Sequence, residues 1–171
     1  MSEHAGDVTF LGNPLTRVGD LPVLREAAPD AAVLDNELNP TNLSALRGSI
    51  VVLVTVPSLD TPVCDTEVRR FNQEAAALGS DVRIVVASMD LPFAQARWCG
   101  AAGIDAVSTV SDHREAALGL AYGVLIKELR LLARCVFVID REGVLRYAQL
   151  VKEISDEPDY GAVLAAVKDL S

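Results

Sequence analysis

The chain has 171 residues, the size of one domain, and half of them are hydrophobic, enough to fill a sizeable core. Charged residues make up 23%, which argues against disorder, and the net charge of −9 argues against nucleic acid as a partner. The segment Met1–Asp7 shows no basic stretch leading into an apolar one, and no apolar run is long enough to span a bilayer. A cytoplasmic protein with no membrane partner is therefore expected.

In chain order, Val8–Leu11 and Leu15–Val18 flank Gly12-Asn13-Pro14 and predict a small hairpin. Residues 19–31 are rich in Gly, Pro and Asp and read as loop. Ala32–Leu34 is a short strand. Asn39-Pro40 is a turn, after which Thr41 or Asn42 caps a short helix to Arg47, closed by Gly48. Ile50–Val56 is nearly all β-branched, the mark of a strand buried on both faces. A helix is expected from Pro62 to Leu78, stopped by Gly79, with Val68, Phe71, Ala75 and Leu78 on one face.

Val82–Ser88 is the next strand. Asp90 caps a helix with Pro92 near its start, ending at Ala102-Gly103. Val107–Val110 is a short strand, residues 112–122 a helix, and Gly123 its stop. Leu131–Ile139 and Val144–Val151 are strands joined by the turn Asp140-Arg141-Glu142-Gly143. Pro158 precedes a last helix, Asp159–Leu170. Strand–helix alternation implies right-handed crossovers and a mainly parallel central sheet, with a C-terminal antiparallel hairpin and an added N-terminal hairpin. A thioredoxin-like α/β sandwich in a single domain over residues 1–171 fits this order. A flavodoxin-like fold fits less well, because it does not end in a strand hairpin.

Three cysteines, Cys64, Cys99 and Cys135, make an odd count and no C-x-x-C pair, so neither a secreted disulfide framework nor dithiol exchange is suggested. With only His4 and His113, a zinc site lacks grouped ligands. Cys64 falls in the first turn of the helix that follows strand Ile50–Val56. Pro57 ends the strand, Thr61 is placed to N-cap the helix, and Pro62 suits the first helical position. The free N–H groups of that turn and the helix dipole favour a thiolate. A buried structural thiol is the ordinary reading of a cysteine, but this one lies in no apolar stripe.

A thiolate attacking carbonyl carbon needs a histidine base, and His113 reads better as a loop residue. Attack on peroxide oxygen needs instead donors for the O–O group and a second thiol to clear the sulfenic acid.

Pro57-x-x-x-Thr61-x-x-Cys64 resembles the active-site motif of the peroxiredoxins, and more narrowly of the thiol peroxidase branch, an atypical 2-Cys type. The likeness runs from about Val8 to the C-terminus. It includes Phe10-Leu11-Gly12-Asn13-Pro14, Ser88–Gln95, Arg97-Trp98-Cys99-Gly100, Ala133-Arg134 and Glu157-Pro158-Asp159-Tyr160. The resemblance implies that Cys64 is the peroxidatic and Cys99 the resolving cysteine of one subunit. It implies that Thr61 hydrogen-bonds thiolate and peroxide, that Pro57 shields the pocket, and that Arg134 stabilises the charge. Hydrogen peroxide or an alkyl hydroperoxide is then the substrate, thioredoxin the reductant and a homodimer the assembly, with no cofactor and no metal.

A disulfide between Cys64 and Cys99, on different helices, requires local unwinding of both. Cys135 is expected to be a buried strand residue. A thiol-based redox sensor relaying its disulfide to a partner is the alternative function. A binding module with structural cysteines is a third possibility.

Overall fold

A computed structural model describes all 171 residues. Strand β1 (Glu3–Phe10) turns into β2 (Asn13–Val18), and β3 (Ala32–Leu34) and β4 (Pro40–Asn42) precede a 3-10 turn at Leu43–Leu46. The central part runs β5 (Ile50–Thr55), α1 (Pro62–Ala75), β6 (Val82–Ser88), α2 (Pro92–Ala102) and β7 (Ser108–Ser111). Then follow α3 (Ala117–Ala121), β8 (Leu125–Ile126), β9 (Leu131–Leu132), β10 (Cys135–Ile139), β11 (Leu145–Leu150) and α4 (Tyr160–Lys168).

The strands form a seven-stranded sheet, in the order β11-β10-β5-β6-β7-β3-β4, and a separate four-stranded sheet, β1-β2-β8-β9. The thioredoxin-like class holds, but the expected mainly parallel sheet is mixed. Only β5-β6 and β6-β7 are parallel; β10, β11, β3 and β4 all join antiparallel. The reason lies in the connections. Each parallel pair is joined through a helix, whereas β10–β11 and β3–β4 are joined by short turns that reverse the chain.

Strand β5 explains the two-sided core. Val51 and Leu53 point into one cluster with Val85, Phe137, Leu118 and Tyr122, and Ile50, Val52 and Val54 into another with Val68, Phe71, Val163 and Val167. The period of two sends alternate residues to opposite faces, which is why an unbroken β-branched run is buried throughout. The same alternation in β10 sends Cys135, Phe137 and Ile139 to the first face and Val136 and Val138 to the second. The second face carries α1 and α4.

Several local expectations are corrected. The hairpin begins at Glu3, five residues early, and carries an irregularity between Ala5 and Val8. Pro40 starts a strand instead of a turn, pairing with Leu34. The helix expected over 112–122 shrinks to Ala117–Ala121, because the Asp112 carboxylate accepts the N–H groups of Leu118 and Gly119 and fixes the chain before them. α1 stops at Ala75, with Leu78 beyond it in a turn. Most importantly, Leu131–Ile139 is two strands. Leu131 and Leu132 pair with β8, and after a break at Ala133-Arg134 the chain enters the large sheet. The hydroxyl of buried Thr55 holds that break by donating to the Ala133 carbonyl at 2.7 Å.

Gly123 ties the small sheet to the loop after β2. Its φ is +64°, its carbonyl accepts from buried Arg17, and a Cβ there would lie 2.4 Å from the Asp20 carbonyl carbon. Gly123→Ala should lower the stability to chemical denaturation by about 2 kcal/mol or more. An unchanged midpoint would contradict this packing.

Candidate active site

Cys64 sits at the third position of α1, fully buried under the end of β5. Pro57 is buried and ends the strand; Thr61 is the N-cap by backbone geometry, with φ −90° and ψ 145°. Its side chain does not cap the helix. The Thr61 hydroxyl donates to the Ser58 carbonyl at 2.9 Å, which commits its only proton and leaves its oxygen lone pairs free to accept.

Asp90 was expected to cap α2, but Leu91 is that cap. The Asp90 carboxylate is instead taken by the hydroxyls of Ser58 and Ser88 and the N–H of Leu59, at 2.7 to 2.8 Å. It thus holds the turn before α1 against the end of β6.

Arg134 stands one residue before β10, on the same side as Val136 and Val138, and so faces α1. Only 1% exposed, it spends every donor group within the protein. Nη2 donates to Cys64 Sγ at 3.2 Å and to the Ile154 carbonyl at 2.8 Å; Nε donates to the same carbonyl at 3.2 Å; Nη1 pairs with Glu67. Glu67 is on α1 three residues after Cys64, hence on the same helical face.

Glu67 escaped the sequence reading, although its spacing from Cys64 was the available signal. It is fully buried, and its second oxygen has no partner. Burial pushes its carboxyl up to about 7, while the charge and hydrogen bond of Arg134 pull it back. One guanidinium thus serves two acidic groups.

Cys99 lies near the end of α2, half-buried, with its sulfur 3.6 Å from the Thr109 hydroxyl. It borders an open polar groove of about 410 Å³ shared with Asp35, Asn36 and Glu37. All three cysteines are free thiols.

The two cysteine helices are clamped by residues next to those cysteines. Asp65 accepts from Trp98 Nε1 at 3.0 Å and from Arg69 Nε at 2.9 Å. Arg69 also lies over the Trp98 ring and donates to the Ala102 carbonyl. Cys135 is buried on the opposite face from Arg134, and burial pushes its thiol far up, as suits an inert core residue. His113 contacts Ser111, whose own proton goes to the Asp90 carbonyl; it holds a loop.

The redoxin family model matches residues 24–164. The chain belongs to the redoxin family. Within it, this redoxin is 51% identical to the thiol peroxidase of Bacillus subtilis over 164 residues, covering 96% of this chain and 98% of that one. It is 45% identical to the thiol peroxidase of Staphylococcus aureus, covering 96% and 99%. A solved peroxiredoxin-like protein from Aquifex aeolicus superposes with a TM-score of 0.90 at 43% identity, over 98% of this redoxin and 99% of that chain. This redoxin is a thiol-dependent peroxidase of the thiol peroxidase branch of the peroxiredoxins. No helix is long and apolar enough to cross a membrane.

The raised Glu67 carboxyl has a consequence for stability. In the unfolded chain Glu67 releases its proton near 4.5, and in the folded protein near 7. Between those values the folded state binds more protons, so this residue's contribution to stability falls as pH rises through the window and is level above it. Glu67→Gln should flatten that fall. Denaturant midpoints at about pH 5 and about pH 8 test it, and an unaltered difference between them would count against the assignment.

Proposed function

We propose that this redoxin reduces hydrogen peroxide and alkyl hydroperoxides through Cys64 and recycles through an intramolecular disulfide with Cys99. The observation that carries the proposal is the hydrogen bond from Arg134 Nη2 to Cys64 Sγ at 3.2 Å in a fully buried site. A fixed cation there stabilises the thiolate and then the charge developing on the leaving oxygen.

The Cys64 thiolate attacks the distal oxygen of ROOH. The S–O bond forms as the O–O bond breaks, and the leaving oxygen takes up a proton to give ROH. The product on the enzyme is Cys64 sulfenic acid. The Thr61 oxygen accepts from the peroxide, and buried Pro57 keeps water from the sulfur. The thiolate of Cys99 then displaces hydroxide from the sulfenic sulfur; with a proton it leaves as water and the disulfide remains. Thioredoxin supplies the two electrons that restore both thiols, as the resemblance implies. The groove beside Cys99 gives such a dithiol an approach.

Disulfide formation must release the Asp65–Trp98–Arg69 clamp, since it joins the turns that carry the two cysteines. The helices open locally at those turns while the sheet persists. A homodimer is proposed as the working assembly, and exposed Phe10, Leu11, Leu91 and Phe93 offer apolar surface to it. Three free thiols fit a reducing compartment, and the cytoplasm is the proposed site of action.

Thioredoxin-coupled peroxide consumption tests the reading. Cys64→Ser should lose all activity. Cys99→Ser should consume one equivalent of peroxide and stop. Full turnover by Cys64→Ser would sink the proposal, and stoichiometric oxidation of the wild type without turnover would mark a sensor instead. In the wild type, one equivalent of peroxide should change Trp98 fluorescence as the clamp opens; a silent tryptophan would contradict the opening.

A further inference from the structure

The β1–β2 hairpin is an addition to the thioredoxin-like core, yet its tip reaches the segment that supports Arg134. The Thr9 N–H donates to the Lys152 carbonyl at 2.7 Å, and the Ile154 N–H donates to the Thr9 carbonyl at 2.9 Å. Glu153 lies between these two bonds with its carboxylate turned onto the hairpin tip. It accepts from the Thr9 hydroxyl at 2.8 Å, from the N–H groups of Leu11 at 3.0 Å and Gly12 at 3.1 Å, and from the Ser155 hydroxyl at 2.6 Å and N–H at 3.2 Å. Leu11 and Gly12 both have positive φ, 49° and 80°, which turns successive N–H groups to one side. Such a pair makes an anion-binding concavity. The carboxylate fills it.

We propose that Glu153 is a positioning residue for the Cys64 chemistry. Its carboxylate locks residues 152–155 onto the hairpin tip and thereby fixes the Ile154 carbonyl that aims the Arg134 guanidinium at Cys64. The inference rests on Cys64 being the reacting thiol. Glu153 touches neither the sulfur nor any substrate; it acts through Ile154 and Arg134.

The guanidinium is planar, so an acceptor that spans Nε and Nη2 fixes its plane and the direction of its remaining N–H groups. The Ile154 carbonyl is that acceptor, and its side chain is anchored in the core cluster that also holds Val8 of β1. Were it displaced, Glu67 and the sulfur itself would be the remaining partners of Arg134, and the guanidinium could swing about the Glu67 contact, away from Cys64. The groups bearing charge on Cys64 are Arg134 and, through it, Glu67; Glu157 from the C-terminal segment bears on Glu67, and Tyr160 feels both carboxylates. Glu153 is held well below the usual carboxylate range, at about 2, chiefly by Ser155, so it stays anionic throughout the working range.

The test is single-turnover peroxide consumption against pH in a Cys99→Ser parent, with Glu153→Ala and Glu153→Gln added to it. Glu153→Ala should slow the reaction about tenfold near neutrality and move the rate profile to higher pH by about one unit. Glu153→Gln keeps an acceptor without the charge and should fall between. Lys127→Ala breaks the pair with Glu3 at the far end of the same small sheet and should match the parent. Should Glu153→Ala fail to fold, Glu153→Gln and Thr9→Val decide, each shifting the profile in the same direction by less. Folded variants with the parent's profile would overturn the inference alone. A parent that consumed no peroxide would overturn the reading of Cys64 and the inference with it.

Discussion

The buried guanidinium of Arg134 is the constraint on which the site depends. Cys64, Glu67 and Arg134 have essentially no solvent exposure, and a buried charge without partners costs several kcal/mol. The fold must therefore supply those partners, and much of its detail serves that end. Thr55 pins the chain at Ala133 so that Arg134 emerges on the α1 face. Ile154 offers a carbonyl, and the register of α1 stacks Glu67 beneath Cys64. Burial pushes the Glu67 carboxyl up to about 7 while Arg134 pulls it back, and the same guanidinium donates to the Cys64 sulfur.

The proposed disulfide step requires the same helix to be both firm and releasable. α1 is anchored along its length by Val68 and Phe71 in the core, and Phe71 packs edge-on against Tyr160 of α4. Its first turn is held differently, by polar links. The Asp90 carboxylate holds the turn before it, and Asp65 reaches across to Trp98. Polar links between partly exposed groups are each worth only about 1 kcal/mol, so they can yield while the apolar anchor holds. On the proposed mechanism, that division confines opening to the turns bearing the two thiols.

What could be read from the sequence was what is decided locally. The β-branched run of β5, the proline starts of α1 and α2, and the left-handed Gly103 after α2 are properties of a few adjacent residues. The peroxidase motif is equally local around Cys64, and Arg134 is the single charge in the apolar run Leu131–Val136. What escaped depends on distant partners. The break at Ala133-Arg134 is set by a hydroxyl on β5 and by pairing with a two-residue strand, Leu125–Ile126, too short to show a period. Asp90 looked like a cap because its sequence neighbours suit one, but Ser58, thirty-two residues away, claims it. Nothing local marks Glu67 and Asp65, because their partners, Arg134 and Trp98, come from distant parts of the chain.

The central claim is that the Arg134 guanidinium makes Cys64 a nucleophile. The most direct measurement is the second-order rate constant for peroxide with the reduced Cys99→Ser protein, compared with the same protein carrying Arg134→Gln. Loss of a preorganised charged donor to the reacting atom should cost about 10²–10³ in rate, with Cys64 still oxidised slowly to the sulfenic acid. A rate constant within a factor of about two of the parent, in a folded variant, would contradict the account.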